Sequence, residues 1–390
     1  MRTTGTKAYG IRTPMIQSGD DIVQITVDSV LNAAKNENIT FNDKDVVGIT
    51  EAVVARAQGN YATCGQVAAD IRSKFPRGTV GITFPILSRN RFGNILKGIA
   101  GGCDKLYILL SYPSDEVGNE FITPDALDKS GINPYSTVLT EKKYREIFGY
   151  ETKHYFTNVD YIEFYKSFGN HVEIILANDV RKILDYTKDV LCCDIHTRER
   201  SKRLLREAGA NTVFGLDDVL SSPVNGSGCN ELYGLLGSNM STDDSLKLFP
   251  RDCERIVGEI AKKLKEATGK QIEVMIYGDG AFKDPVIKIW ELADPVVSPA
   301  FTSGLAGTPS ELKLKYLLDN ELADCEHDKI TDAAREAIKA KTAALGDKAL
   351  GTTPRRYTDL LGSLCDLMSG SGDKGTPVIL IQGYFDNFAS

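Results

Sequence analysis

The chain has 390 residues, 42% of them hydrophobic and 25% charged, with a formal net charge of −7 and a pI near 5.4. At about 150 residues per domain this is material for two to three domains with sizeable cores. The acidic balance excludes a general nucleic-acid binder, and no run approaches the ~18 consecutive apolar residues of a membrane span.

The opening MRTTGTKAYG lacks the apolar core of a signal peptide. The cysteines are scattered without a C-x-x-C, so neither a zinc site nor a disulfide framework is expected, and the reducing cytoplasm is the expected compartment. After Gly10, residues Val23, Val27, Val30, Leu31 and Ala34 recur at helical spacing, with Ser18 or Asp20 placed to cap the start. DVVGIT (45–50) reads as a strand and VVARA (53–57) as the helix leaving it, with Thr50, Glu51 and Ala52 at the turn. GTVGITF (78–84) and KLYILL (105–110) read as strands around a helix near 91–101. VEIILA (172–177), VLCCDI (190–195) and NTVFGL (211–216) then alternate with helices, which implies parallel pairing between sandwiching layers. The aromatic, polar stretch 112–170 carries no clear period, and the basic run Arg198–Arg206 reads as a solvated helix face.

In the last third, Ile256, Val257, Ile260 and Leu264 share one face of a helix opened by Pro250 and Asp252 and closed by Gly269. The strand in EVMIYGDGAF (273–282) follows. TSGLAGTPSELK (302–313) leads to a helix capped by Thr308 or Ser310, and a charged helical stretch spans 329–345. Helix DLLGSLCDLM (359–368), loop SGSGDKGTP and strand VILIQ (378–382) close the chain.

Chemistry concentrates at loops. Asp279 stands between two glycines at a strand end, where open α/β sheets gather ligands; a ligand role and a simple turn cap both fit it. Gly370, Gly372 and Gly375 spell G-x-G-x-x-G, yet a helix precedes and a strand follows, the reverse of the dinucleotide fingerprint. Such a loop still suits phosphate through backbone N–H groups, with Asp373 a metal ligand and Lys374 a charge, or serves as a connector. GLAGTPSE at a helix start is a further anion candidate. Four histidines, none at metal-ligand spacing, and no nucleophile elbow point away from imidazole chemistry toward phosphate and Mg²⁺, which needs only one or two carboxylates.

Three ordered segments resemble the coenzyme F-420-0:L-glutamate ligase (gamma-glutamyl ligase) family. TPMIQSGDDI with DVVGITEAVVARAQG is similar to its I-P-x-I-x-x-G-D-D-L and D-x-V-V-x-T-x-K-V-V-S-K-A-E-G. GLLGSN, the LKLFPRDCERIVGEIAKKL helix and the strand ending GDGAFKDP resemble G-I-D-x-S-N, the L-L-P helix and S-D-T-x-G-R-P. DLLGSLCDLMSGSGDKGTPVILIQG resembles D-x-L-A-S-A-A-E-L-V-M-G…G-x-P-V-x-x-V-R-G. The resemblance implies an α/β fold with a discontinuous α+β ligase-like core, 1–60 and 225–390, and an inserted α/β domain of alternating strands and helices, 61–224.

It also implies a cytoplasmic, homodimeric enzyme that joins L-glutamate or another amino acid to a carboxylate acceptor through an acyl phosphate. GTP (or ATP) is then the co-substrate with Mg²⁺ or Mn²⁺, and neither nucleic acid nor membrane is a partner. By position, Thr13, Pro14, Met15, Ile16, Glu51, Ala52, Arg56, Asn239, Gly370, Gly372, Lys374 and Gly375 match nucleotide segments, and Asp279 matches a metal-binding aspartate, with Asp373 a second candidate. Several positions depart from the family: Leu236 stands at a metal-ligand aspartate, Gly280 at a threonine, Gln58 at a glutamate, Ala52 at a lysine and Arg56 at a lysine. Glu231, Asp243, Asp244, Asp284 and Asp373 are the neighbours able to supply a missing ligand. Leu236 and Gly280 motivate an alternative, a non-catalytic nucleotide- or metabolite-binding homologue.

Overall fold

The computed structural model describes residues 4–120, 122–150, 153–154, 157–279, 296–341, 356–369 and 373–389. They form two compact units, one drawn from residues 4–57, 252–279 and 296–389 and the other from 58–251. Among the described residues, no helix is long and apolar enough to cross a membrane.

The first unit opens with β1 (Lys7–Ile11), α1 (Ile22–Asn36), β2 (Val46–Thr50) and α2 (Glu51–Ala57). The α1 cap is Asp21, whose carboxylate accepts the Gln24 N–H at 3.0 Å. Ser18 and Asp20 do not cap it: Asp20 instead accepts the Gln17 N–H at 2.7 Å, closing a turn in which Gly19 sits at φ 93°.

The second unit starts with β3 (Tyr61–Thr63), α3 (Cys64–Lys74), β4 (Thr79–Thr83), α4 (Asn94–Gly101) and β5 (Lys105–Leu110). The stretch without a clear period holds α5 (Pro124–Ser130), β6 (Leu139–Thr140), α6 (Glu141–Phe148) and α7 (Tyr161–Lys166). Then come β7 (Val172–Leu176), β8 (Asp189–Cys192), α8 (Arg198–Glu207), β9 (Thr212–Gly215), β10 (Asn239–Thr242) and β11 (Ser245–Lys247). The main sheet runs β6-β7-β5-β4-β8-β9, parallel throughout except for β6. Its order reverses at β4/β8, as in doubly wound folds. Buried runs such as Ile108–Leu110 and Val190–Cys192 suit strands covered on both faces. The α8 face is less solvated than its charge suggests: Lys202 is buried against Asp217 and Asp218, and Arg198 pairs with Asp217. Residues 225–251, grouped by sequence with the first and last segments, belong to this unit, because β11 pairs with β3 and β10 with β11.

The chain then returns to the first unit with α9 (Cys253–Thr268), β12 (Glu273–Asp279), β13 (Val296–Phe301), α10 (Leu314–Tyr316), α11 (Ile330–Lys339), α12 (Tyr357–Ser369) and β14 (Val378–Gln382). Gly269 closes α9 at φ 70°, but α10 follows Lys313 with no side-chain cap from Thr308 or Ser310. The sheet order is β1-β14-β2-β12-β13, and only the β2–β12 pairing is parallel. Alternation sorts the side chains onto two faces. Val47, Ile49, Val274, Ile276, Val378 and Leu380 share a core with α1 and α9 residues, whereas Val46, Met275, Tyr277, Ile379 and Ile381 pack with Leu361 and Cys365 of α12. Gly48 is required beneath α12, since a Cβ there would sit 2.4 Å from Cys365 Sγ. The result is an α/β unit of three layers.

Candidate functional site

The register of the first unit's sheet decides which loops meet. Because β14 runs antiparallel to both β1 and β2, its first residue, Val378, lies opposite Ile11 and Ile49. Parallel pairing sets Tyr277 beside Thr50. The chain leaving β1, the β2–α2 junction, the end of β12 and the loop entering β14 therefore share one edge of the sheet. These are the segments of Thr13–Ile16, Glu51–Arg56, Asp279 and Asp373–Gly375.

Local contacts tie the edge together. The Thr50 N–H donates to Pro377 O at 3.0 Å, and the Thr376 hydroxyl donates to Ser369 O at 3.0 Å, closing the neck of the glycine-rich loop. Arg56 donates through Nε to Ile16 O at 2.5 Å, and the Gly19 N–H donates to Ala57 O at 2.8 Å, so α2 holds the 13–19 segment in place. Arg56 as a residue is exposed. Thr13 Oγ1 donates to Pro14 O at 3.0 Å, Ile16 is buried and Met15 is 89% exposed. Ala52 is half-buried in the first turn of α2. Asp373, Lys374 and Gly375 are exposed, with Gly375 at φ 65°, where glycine is favoured. Gly370 and Gly372 lie outside the described residues, as does the side chain of Asp279, whose backbone pairs with Val296.

Gly278 has its own reason. A Cβ there would meet Glu51 Cγ at 2.1 Å, so the buried Glu51 side chain lies across the β12 backbone one residue before Asp279. Burial, reinforced by Asp252 and Glu51, pushes the Cys253 thiol up to about 12, which leaves no thiolate nucleophile there at neutral pH.

Other expected site residues lie elsewhere. Asn239 begins β10 and belongs to the second unit. Leu236 is buried in that unit's apolar core with Leu235, Leu246 and Leu248, an environment that suits the leucine and would strand a carboxylate. Glu231, Asp243 and Asp244 are also in the second unit, Asp244 paired with Lys97 at 3.1 Å, and Asp284 lies outside the described residues. Among the described residues, no group of three or more His, Cys, Asp or Glu gathers to hold a metal. The described carboxylates of the edge segments are Glu51 and Asp373.

The sequence reading did not single out the groove beside β1. It is an open groove of about 1200 Å³, lined by β1 and the residues after it, one face of α1 with the chain that follows to Asn42, and Met368, Lys374, Thr376 and Gln382. Arg12, next to Thr13, was the available signal; the α1 face was hidden because its polar residues looked like an ordinary solvated surface.

A search of curated proteins finds no match to the chain. The family model described as F420-0:Gamma-glutamyl ligase matches residues 10–383, through both units. A match of that extent, on a fold that gathers the matching loops of the first unit along one sheet edge, means that the chain belongs to the F420-0:gamma-glutamyl ligase family, a family of ligases.

Proposed function

We propose that the protein is a nucleotide- and divalent-metal-dependent amide ligase that joins L-glutamate, or another amino acid, to a carboxylate acceptor through an acyl phosphate. The observation that carries this reading is the convergence of residues 13–16, 51–56, 279 and 373–375 on one sheet edge in a chain of this family. A carboxylate oxygen attacks the terminal phosphorus of GTP or ATP and the nucleoside diphosphate leaves. The amino group then attacks the acyl carbon, inorganic phosphate leaves and the amine gives up a proton. Little covalent work falls to the protein; it positions the reactants and neutralises charge.

Arg56 is held through Nε to Ile16 O, which leaves its two terminal nitrogens to fork onto a phosphate. Lys374 adds a point charge, and the backbone N–H groups around Gly375 suit a phosphate oxygen. Asp279 and Asp373, joined by Glu51, are the carboxylates that would hold Mg²⁺ or Mn²⁺, which when bound offsets the charge of the polyphosphate. A homodimer is part of this reading and is checked by sedimentation.

The test is thermal stabilisation by GTP or ATP with Mg²⁺, together with phosphate release that depends on an added amino acid. Stabilisation is expected in the native protein and weakened in Asp279→Asn and Arg56→Ala. The absence of any shift across nucleotides and metals sinks the proposal. Leu236 in an apolar core favours a second reading, a homologue that binds nucleotide or metabolite without turnover. Nucleotide-dependent stabilisation with no phosphate release over a panel of amino acids and acceptors selects that reading.

A further inference from the structure

The main sheet of the second unit reverses its order at β4 and β8. In doubly wound sheets that point, beyond the carboxyl ends of the strands, is where ligands gather. Two consecutive acidic residues in the loop after β5 reach different neighbours there. Asp115 accepts the Leu87 N–H, from the loop after β4, at 2.8 Å, and the N–H groups of Val117 and Asn119 at 3.0 and 2.8 Å. Glu116 accepts the N–H groups of Ile195 and His196, in the loop that runs from β8 into α8. Because β4 lies between β5 and β8, the Glu116 side chain spans the end of β4.

Elsewhere the β5 loop is anchored by groups that keep their protons near neutrality. The Tyr112 N–H donates to Asn178 Oδ1 at 2.9 Å, and the Asn178 amide donates back to Tyr112 O at 2.6 Å. The Tyr112 hydroxyl, its pKa raised by burial, donates to Thr137 O at 2.8 Å.

Glu116 is different. The charges that act on it most are both negative: Asp194 in the loop after β8 and Asp115 in its own loop. His196 faces it with a backbone N–H, and Arg198 at the start of α8 is paired with Asp217. Near Asp115, the buried Tyr165 hydroxyl donates to Ile86 O at 2.5 Å. Loss of water around the Glu116 carboxyl, reinforced by the two negative neighbours, raises its pKa from 4.5 to about 7 against the pull of the two N–H donors.

We propose that Glu116 is a proton-controlled clasp on the ligand edge of the second unit: it ties the loops after β5 and β8 across the end of β4, and loss of its proton releases them. A released Glu116 is an ordinary exposed carboxyl, so the closed form holds the proton more tightly than the open one. The closed form's advantage is complete below pH 4.5, shrinks as pH rises and is gone above about 7. Between pH 6 and pH 8 the open population therefore grows about tenfold. Opening frees the Ile195 and His196 N–H groups and clears the end of β4.

Hydrogen–deuterium exchange of the full-length protein, corrected for the intrinsic pH dependence of exchange, reads this on peptides spanning 193–197 and 111–120. Protection in both loops should fall about tenfold from pH 6 to pH 8, while peptides of β4 and β5 keep theirs. Glu116→Gln stays neutral at both pH values and should show the same protection at each. Glu116→Ala lacks both bonds and should show low protection of the two loops at either pH. Should the alanine variant fold poorly, the glutamine variant carries the comparison.

Equal protection of the native loops at pH 6 and pH 8 overturns the proposal. So does the same tenfold fall in Glu116→Gln, which would move the response to Asp194 or His196. A loss of protection that extends equally through β4 and β5 also overturns it, because the whole unit would then be opening rather than one clasp.

Discussion

Glu116 shows how one side chain can carry a pH response. Its carboxylate accepts the Ile195 and His196 N–H groups, the latter at 3.0 Å. Burial, reinforced by Asp194 and Asp115, raises its pKa from 4.5 to about 7, although the two N–H donors pull the other way. The folded protein therefore binds this proton more tightly than the unfolded chain. The stabilisation is fully present below pH 4.5 and is lost as pH rises to about 7. Glu116→Gln should flatten that part of the stability–pH curve, removing a slope on the order of 1 kcal/mol per pH unit, as read by urea unfolding. Parallel wild-type and variant curves would contradict the assignment. At Gly278, alanine should cost about 1–3 kcal/mol because its Cβ collides with Glu51. Glu51→Ala in the same chain should restore part of the loss, and a purely additive double-mutant cycle would show that the two do not touch.

Elements were legible where their period was strong and their ends were marked. β14 and the buried face of α9 follow directly from VILIQ and from the spacing of Ile256, Val257, Ile260 and Leu264. β1 was missed: an edge strand with only Ile11 fully buried carries no clean alternation. β13 was missed as well, since Pro299 weakens the strand pattern, and it lies at the sheet's other edge, where proline is tolerated. α3 has a strong local signal in Thr63 and Gln66, whose side chains each accept the other's backbone N–H. Thr63→Ala should destabilise the second unit by about 1 kcal/mol, measured as a lower urea midpoint at unchanged m-value, and Thr63→Ser should recover most of it.

On the scale of the whole molecule, residues 58–251 possess their own cores and two sheets whose strands, among the described residues, pair only within the unit. Expressed alone, this segment should unfold in one cooperative transition with α/β circular dichroism. A chain without a cooperative transition would show that the unit needs the rest of the protein. By itself the sequence determined the α/β class, the alternation of strands and helices in the middle of the chain, and the segments that mark the family, because apolar periods and glycine-rich turns are local. Only the tertiary structure decided that loops more than 300 residues apart meet at one sheet edge, that Leu236 belongs to an apolar core, and that Lys7, Arg12 and the polar face of α1 line one open groove. Strand register and packing set those juxtapositions, and both depend on residues far apart along the chain.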